Sequence, residues 1–377
     1  MRSPLPGRFL FSAVLPLCSI YCLTLCGGAL AANPTSPLGI PTPKGEATIA
    51  YDVNAAGQAA AVLEDEQGRQ RGVLVERGVV TELGTPEGKY SDARAINPRG
   101  QIVGSARDGE GKWNAFIYQR ATGLQAFGTL GGPSSYGMAI NDAGHIAGFA
   151  DTPSGDWHAF LHDGSGALRD LGTLGGKISY AAGMNNRGQV VGTATLPNEW
   201  RRAFVYDAAR GMLDLGTLGG RISSATAIND AGVVVGASET ADRQWHAFIH
   251  DGHKMVDLGA ALGRGSSFAT DINNAGHVVG TLLAGEERLS WVWRDGKMTV
   301  HRGGKGLHLT NAINDGELVI GAIYDRRMIA ATMPARAMPV SPPQGGVKFT
   351  LAAAMGLLLA GAAVLFQRRY RGIALAG

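Results

Sequence analysis

The sequence predicts an all-β fold: a seven-bladed β-propeller of ~44-residue four-stranded repeats, closed by an N-terminal strand and followed by a C-terminal transmembrane helix. Three observations carry this reading. An Asn-marked turn recurs at Asn54, Asn97, Asn141, Asn185, Asn229, Asn273 and Asn314, at intervals of 43, 44, 44, 44, 44 and 41 residues. A glycine follows three positions after the marker, at Gly57, Gly100, Gly144, Gly188, Gly232 and Gly276, and the last copy moves it to Gly316. A small residue stands at +7: Ala61, then Gly104, Gly148, Gly192, Gly236, Gly280 and Gly321.

Each copy divides into four segments, best seen in residues 223–259. Segment a (225–229) and segment b (233–237) flank Asp230-Ala231-Gly232, a turn whose glycine supplies a positive φ. Segment c is aromatic: Trp113 to Phe116, Trp157 to Phe160, Trp200 to Phe204, Trp245 to Phe248, and Trp291 to Trp293 in the sixth copy. Segment d ends in Leu-Gly, as at Leu171-Gly172, Leu215-Gly216 and Leu258-Gly259, and three copies continue as Gly-Thr-Leu-Gly-Gly. Short runs rich in Val, Ile, Phe and Trp between turn residues are strand patterning. Segments b and c are apolar on both alternating faces, so neighbours must cover both. The seventh copy has a, b and c but no d. Pro37-Leu38-Gly39, ahead of the first a segment, reads as the missing d. A strand there closes the ring and removes an exposed edge. The structural alternatives are an open β-sheet array or, with its shorter coils, a β-helix.

The ends read differently from the body. Residues 1–31 form a signal peptide: Arg2 and Arg8, an apolar run, and an Ala-Leu-Ala site at 29–31. An uncleaved anchor is the alternative, and Leu25 before Cys26 speaks against a lipidation site. Residues 32–333 are the propeller and 334–346 a Pro/Gly spacer. Residues 347–367 form a transmembrane helix, and 368–377 a basic cytoplasmic tail that leaves the repeats outside. The tail is similar to the C-terminal sorting signals of bacterial surface proteins, although it lacks Pro-Glu-Pro and LPxTG motifs.

The 56 glycines among 377 residues fit a turn-rich chain. All three cysteines, Cys18, Cys22 and Cys26, lie in the leader, so the processed chain has neither a disulfide nor a cysteine nucleophile. Leader, transmembrane helix and tail hold six of the 34 basic residues; the remaining 28 face 31 acidic ones. A body near −3 gives no electrostatic case for nucleic acid.

His-Ala-Phe at 158–160 and 246–248, with Asn-Asp-x-Gly and Leu-Gly-Thr-Leu-Gly-Gly, resembles the HAF-repeat family of extracellular repeat proteins. The resemblance covers residues 88–300 well and 38–87 and 304–333 weakly. It implies an extracytoplasmic location and brings no catalytic residues to transfer.

No catalytic, cofactor-binding or metal-ligating residue is singled out, no cofactor is implied, and the binding residues are unknown. His158/His162 and His246/His250 have i, i+4 spacing, but on strands rising ~3.3 Å per residue they start ~13 Å apart, too far for one zinc. The Asn-Asp pairs at 141–142, 229–230 and 314–315 lack a D-x-D-x-D-G loop and read as Asx turns closing on themselves. Gly-Thr-Leu-Gly-Gly lacks the Lys-Ser/Thr of a phosphate loop and reads as a connector. The b–c connections vary most: 105–112, 149–156, 193–199, 237–244 and 281–288. Unlike loops on a rigid scaffold suit recognition.

The expected function is therefore an extracytoplasmic, membrane-anchored, non-enzymatic module that binds a protein or glycan partner through one loop face, as a monomeric ectodomain. The alternatives are a polysaccharide-acting hydrolase or lyase with carboxylates at the channel, and a structural cell-surface component. Converging acids at one channel end favour the enzyme; glycine and aliphatic lining favours the binding module.

Overall fold

The computed structural model describes residues 46–85, 90–164, 166–263, 265–301, 307–325 and 327–334. Seven antiparallel sheets follow one another along the chain, each ordered a-b-c-d except the last, which has three strands. The blades comprise residues 47–82, 95–126, 135–170, 179–214, 219–257, 266–301 and 309–334. This is an all-β seven-bladed propeller, and a 3₁₀ turn at Gly259–Leu262 is its only helical element among the described residues.

The repeat's glycines have two separate jobs. At +3 all six are left-handed, with φ between 72° and 86°. In the seventh copy the position is not displaced to Gly316: Glu317 occupies it at φ 61° and donates its N–H to the Asn314 carbonyl at 3.0 Å. That strained conformer is held by neighbours, with the Glu317 carboxylate 3.2 Å from His277 and 3.4 Å from Arg294 of blade six. At +7 the reason is crowding. A Cβ on Gly148 would lie 1.9 Å from the Tyr136 carbonyl and 2.9 Å from the Phe160 ring. The Phe of His-Ala-Phe therefore packs against bare backbone, and Phe116, Phe160, Phe204 and Phe248 are all fully buried.

The Ala of the same motif is tied to the next blade. The N–H groups of Ala115, Ala159, Ala203 and Ala247 each donate to a serine hydroxyl twenty residues on, at Ser135, Ser179, Ser223 and Ser267, at 2.9 Å. These buried hydroxyls fix how far one a strand sits from the preceding c strand.

The marker asparagines do more than close their own turns. Asn54 Oδ1 accepts the N–H groups of Ala56 and Gln58, while its amide donates to the Asn97 carbonyl at 3.0 Å. Asn97, Asn141, Asn185, Asn229 and Asn273 likewise reach the next marker's carbonyl, at 3.0–3.4 Å. Asn314 reaches Asn54 at 3.0 Å, so the belt joins the last blade to the first. Outside it, Asp142, Asn186, Asp230, Asn274 and Asp315 form a second ladder in which each backbone N–H meets the next side chain at 2.8–2.9 Å. The second residue of each pair thus bonds to the neighbouring blade, not to its own turn as expected.

The signal peptide (1–31), the strand at 37–39, the transmembrane helix (347–367) and the basic tail (368–377) lie outside the described residues. So does the spacer (334–346), apart from Pro334, which ends the last strand. Among the described residues no helix is long and apolar enough to cross a membrane.

Candidate functional site

The a strands of successive blades touch one another around the ring, the last against the first, and so surround its axis. Most carry a bulge two or three residues before the marker, as at Ala50/Asp52 and Ala269/Asp271. The bulge turns two adjacent side chains toward the channel. At −2 the wall is Ala95, Ala139, Gly183, Ala227 and Ala312, interrupted by Asp52 and Asp271. At −3, Met138 and Ala182 line one side, while Tyr51, Arg94, Thr226, Thr270 and Asn311 line the other.

The polar side is the seam of the ring. Asp52 accepts the N–H of Val53 at 2.7 Å and that of Ile96 in blade two at 2.9 Å. Asp271 does the same with Ile272 and with Ile313 of blade seven, both at 2.8 Å. Between them, Asn311 donates to the Ala50 carbonyl of blade one at 2.7 Å. Burial pushes both carboxyls up, and Asp271, with the charges of Asp52 and Asp315 adding to the effect, reaches about 8. An acid that keeps its proton at neutral pH can serve as a general acid. Here each carboxyl oxygen already accepts a backbone N–H, which is the work of a clamp between blades.

The opposite face carries the b–c turns and the d–a connectors. Gly132 and Gly176 of the Gly-Thr-Leu-Gly-Gly connectors donate their N–H groups to Asp151 and Thr195 at 2.9 Å, docking each connector on the next b strand. The variable b–c segments are shorter as loops than the sequence suggests. In 237–244, residues 237–240 belong to strand b (Val234–Thr240), and Thr240 to Gln244 is a tight turn. Residues 108–112, 152–156 and 196–200 close the same way, by polar side chains or backbone pairing. The face is rigid and low.

Its aromatic residues follow a rule with one exception. Trp113, Trp157 and Trp245 pair across the hairpin with Arg107, Asp151 and Glu239. Trp113 then packs on Tyr136 and Trp245 on Phe268 of the following blade, with centroids 6.1 Å apart in both cases; Phe149 lies between Trp157 and Tyr180. Blade four differs because its motif holds one extra residue, Trp200-Arg201-Arg202-Ala203-Phe204. Arg201 takes the strand position opposite Thr195, and Trp200 moves out to the end of the turn. A one-residue offset reverses which side a strand residue presents. Trp200 is 39% exposed where Trp113 is 5% exposed, and it is the one large exposed aromatic among the described residues. The guanidinium carbons of Arg202 and Arg221 lie 5.8 and 5.2 Å from its ring centre.

The motif histidines are held by carboxylates. His158 Nδ1 lies 2.8 Å from Asp170, and His246 Nδ1 lies 2.8 Å from Asp257. Arg202 takes the same place in blade four, 3.7 Å from Asp214. These aspartates precede Leu-Gly in each copy, a recurrence that sequence reading passed over. Among the described residues no three His, Cys, Asp or Glu side chains are grouped as metal ligands.

No protein-family model matches the sequence, and no curated protein sequence matches it. Solved structures share the fold. The chain is similar to the β-propeller domain of the Trilobed protease from Pyrococcus furiosus, a domain with an open velcro topology, at 13% identity and TM-score 0.53 over 76% of this chain and 95% of that one. It is similar to the acylaminoacyl peptidase of Pyrococcus horikoshii at 12% identity and TM-score 0.52, over 80% of this chain and 54% of the peptidase. A puromycin-hydrolyzing peptidase of Mycobacterium tuberculosis gives 13% and 0.52, over 86% and 56%. The chain thus spans about half of each peptidase. At these identities the likeness is one of fold: a β-propeller.

Proposed function

We propose that this chain is an extracytoplasmic, membrane-anchored binding module of the HAF-repeat kind, recognising a protein or glycan through the face that carries the b–c turns. The observation behind the reading is the break in the repeat at blade four. Elsewhere the aromatic side chains of that face are packed between blades; there an indole and the Arg221 guanidinium are exposed, with the largely buried Arg202 beside them. Exposed Trp and Arg are the side chains that most often anchor a partner.

The two channel carboxylates support a second reading, a hydrolase or lyase acting on polysaccharide. One experiment separates the two. The full chain is offered to a glycan array and to a surface-protein pull-down, and the same glycans are checked for cleavage. We expect capture without cleavage. Cleavage lost in Asp271→Asn would establish the enzyme, and clean negatives on array and pull-down would remove the binding module.

The ring is proposed to close through residues 37–39 as the fourth strand of blade seven. Support comes from the outer edge of Arg327–Pro334, which has no strand partner among the described residues, and from Leu38-Gly39, which matches the end of segment d. Leu38→Asp is expected to cost about 2 kcal/mol of stability, the worth of a buried leucine. An unchanged melting temperature would remove the strand from the blade.

A further inference from the structure

Resting on the binding-module reading, we propose that the rim of blade four takes an acidic glycan, with a sugar ring on Trp200 and its carboxylate at Arg221.

The repeat itself supplies the template. At the junctions after blades two and five, a tryptophan from one blade is covered by an aromatic ring from the next, at a centroid distance of 6.1 Å. The residue five places before the marker provides that ring: Tyr136 and Phe268. After blade four the position is Ser224, whose hydroxyl is taken up by Thr193 at 2.7 Å. Among the described residues no aromatic ring from blade five covers the indole, which is 39% exposed, and the guanidinium groups of Arg202 and Arg221 lie over it.

The charges beside the indole are unequal. Arg202 is committed: its Nε faces Asp214 at 3.7 Å and its Nη1 donates to the Arg221 carbonyl. Among the described residues Arg221 is hydrogen-bonded through its backbone, whose N–H donates to Glu239 at 2.7 Å. Its guanidinium lies 5.2 Å from the indole centre, is exposed, and has no carboxylate partner among the described residues. It is an exposed cation beside the indole that can receive an anion. The turn that carries the indole, Leu196 to Trp200, is closed by the Leu196 N–H to the Trp200 carbonyl at 2.9 Å.

A uronic acid ring matches both parts at once. Its apolar C–H face packs on the exposed indole, and the ring carboxylate pairs with the guanidinium 5.2 Å from the indole centre. A protein carboxylate on a flexible side chain would satisfy Arg221 and leave the indole wet. A neutral sugar would cover the indole and leave Arg221 in water. The pairing selects a ligand that is cyclic and anionic.

The test uses the full chain with polygalacturonate, galacturonate and neutral dextran, read by tryptophan emission and by calorimetry. Polygalacturonate is expected to bind, weakening as salt rises. Trp200→Ala and Arg221→Gln should each weaken binding about tenfold or more, as loss of an anchoring side chain does. Arg221→Lys should recover part of the loss, and the Trp200→Phe variant should keep binding better than Trp200→Ala; both report contact and not misfolding. Binding that ignores both substitutions, or dextran binding as tightly as polygalacturonate, overturns the proposal. Capture of other glycans or of a protein through this face, insensitive to Trp200 and Arg221, overturns it while leaving the binding module standing. Absence of any captured partner removes both.

Discussion

Gly236→Ala is expected to cost about 3 kcal/mol or more and to cut the yield of folded protein, at the upper end of what overpacking does. The added Cβ would lie 2.1 Å from the Ser224 carbonyl, 2.9 Å from the Ala225 Cα and 3.0 Å from the Phe248 ring. Two of those atoms are backbone, so no rotamer change relieves them. Strand a must move away from strand b, or Phe248 must leave a fully buried place. The first blade offers an internal control. It carries Ala61 at this position, and the residue across the hairpin is Val73 in place of phenylalanine. Combining Gly236→Ala with Phe248→Val should therefore cost less than the two single changes added together, because the pair shares one space. Thermal melting of the two singles and the double checks this. Simple additivity would mean the glycine is needed for something other than the ring beside it.

The second large effect concerns Asp271 and has a pH signature. Its carboxyl is raised by burial to about 8 in the folded ring, against an ordinary 3.8. A raised folded value means the native state holds the proton more tightly than the unfolded chain. The stabilising contribution is complete below the ordinary value and is lost as pH rises toward about 8. Asp271→Asn keeps one carbonyl to accept from Ile272 or Ile313 but cannot ionise. The variant should be less stable than the parent near pH 4 and should gain on it steadily up to pH 8. Each unit of raised value is worth about 1.4 kcal/mol; discounted for the channel's water, a relative gain of about 3 kcal/mol is expected. Apparent melting temperatures of both proteins across that range decide it. Parallel curves would show that the carboxyl titrates normally and that the seam is not buried in the sense described.

Much of this architecture was legible in the chain. The Asn markers, the glycines at +3 and the four segments per copy are local, and local geometry is written in neighbouring residues. The glycines at +7 were visible as a recurrence, but their cause was not, since it depends on a phenylalanine twelve residues on meeting bare backbone across a hairpin. Glu317 was misread because a turn can keep its shape with a residue other than glycine when ion pairs hold it. Asp52 and Asp271 were hidden for another reason. They are 219 positions apart and meet only when the last blade returns to the first. Trp200 lay in plain view. The extra residue before Phe204 was counted as part of the motif, and its effect on the side the indole presents was not followed through.

The asparagine belt has a consequence for how such a protein can change over time. Each marker's side-chain amide donates to the backbone carbonyl of the marker ahead, and its own backbone carbonyl accepts from the amide behind, all in one rotational sense. A cycle of this kind has no terminal member. A row of six cut from it would lose the bond that joins its ends, and the acceptor carbonyl there would keep only the N–H of its own turn. The number of copies is thereby locked as a whole, while each copy's rim remains free to drift. One copy has drifted at its tryptophan, and that is the blade to which the ligand is assigned.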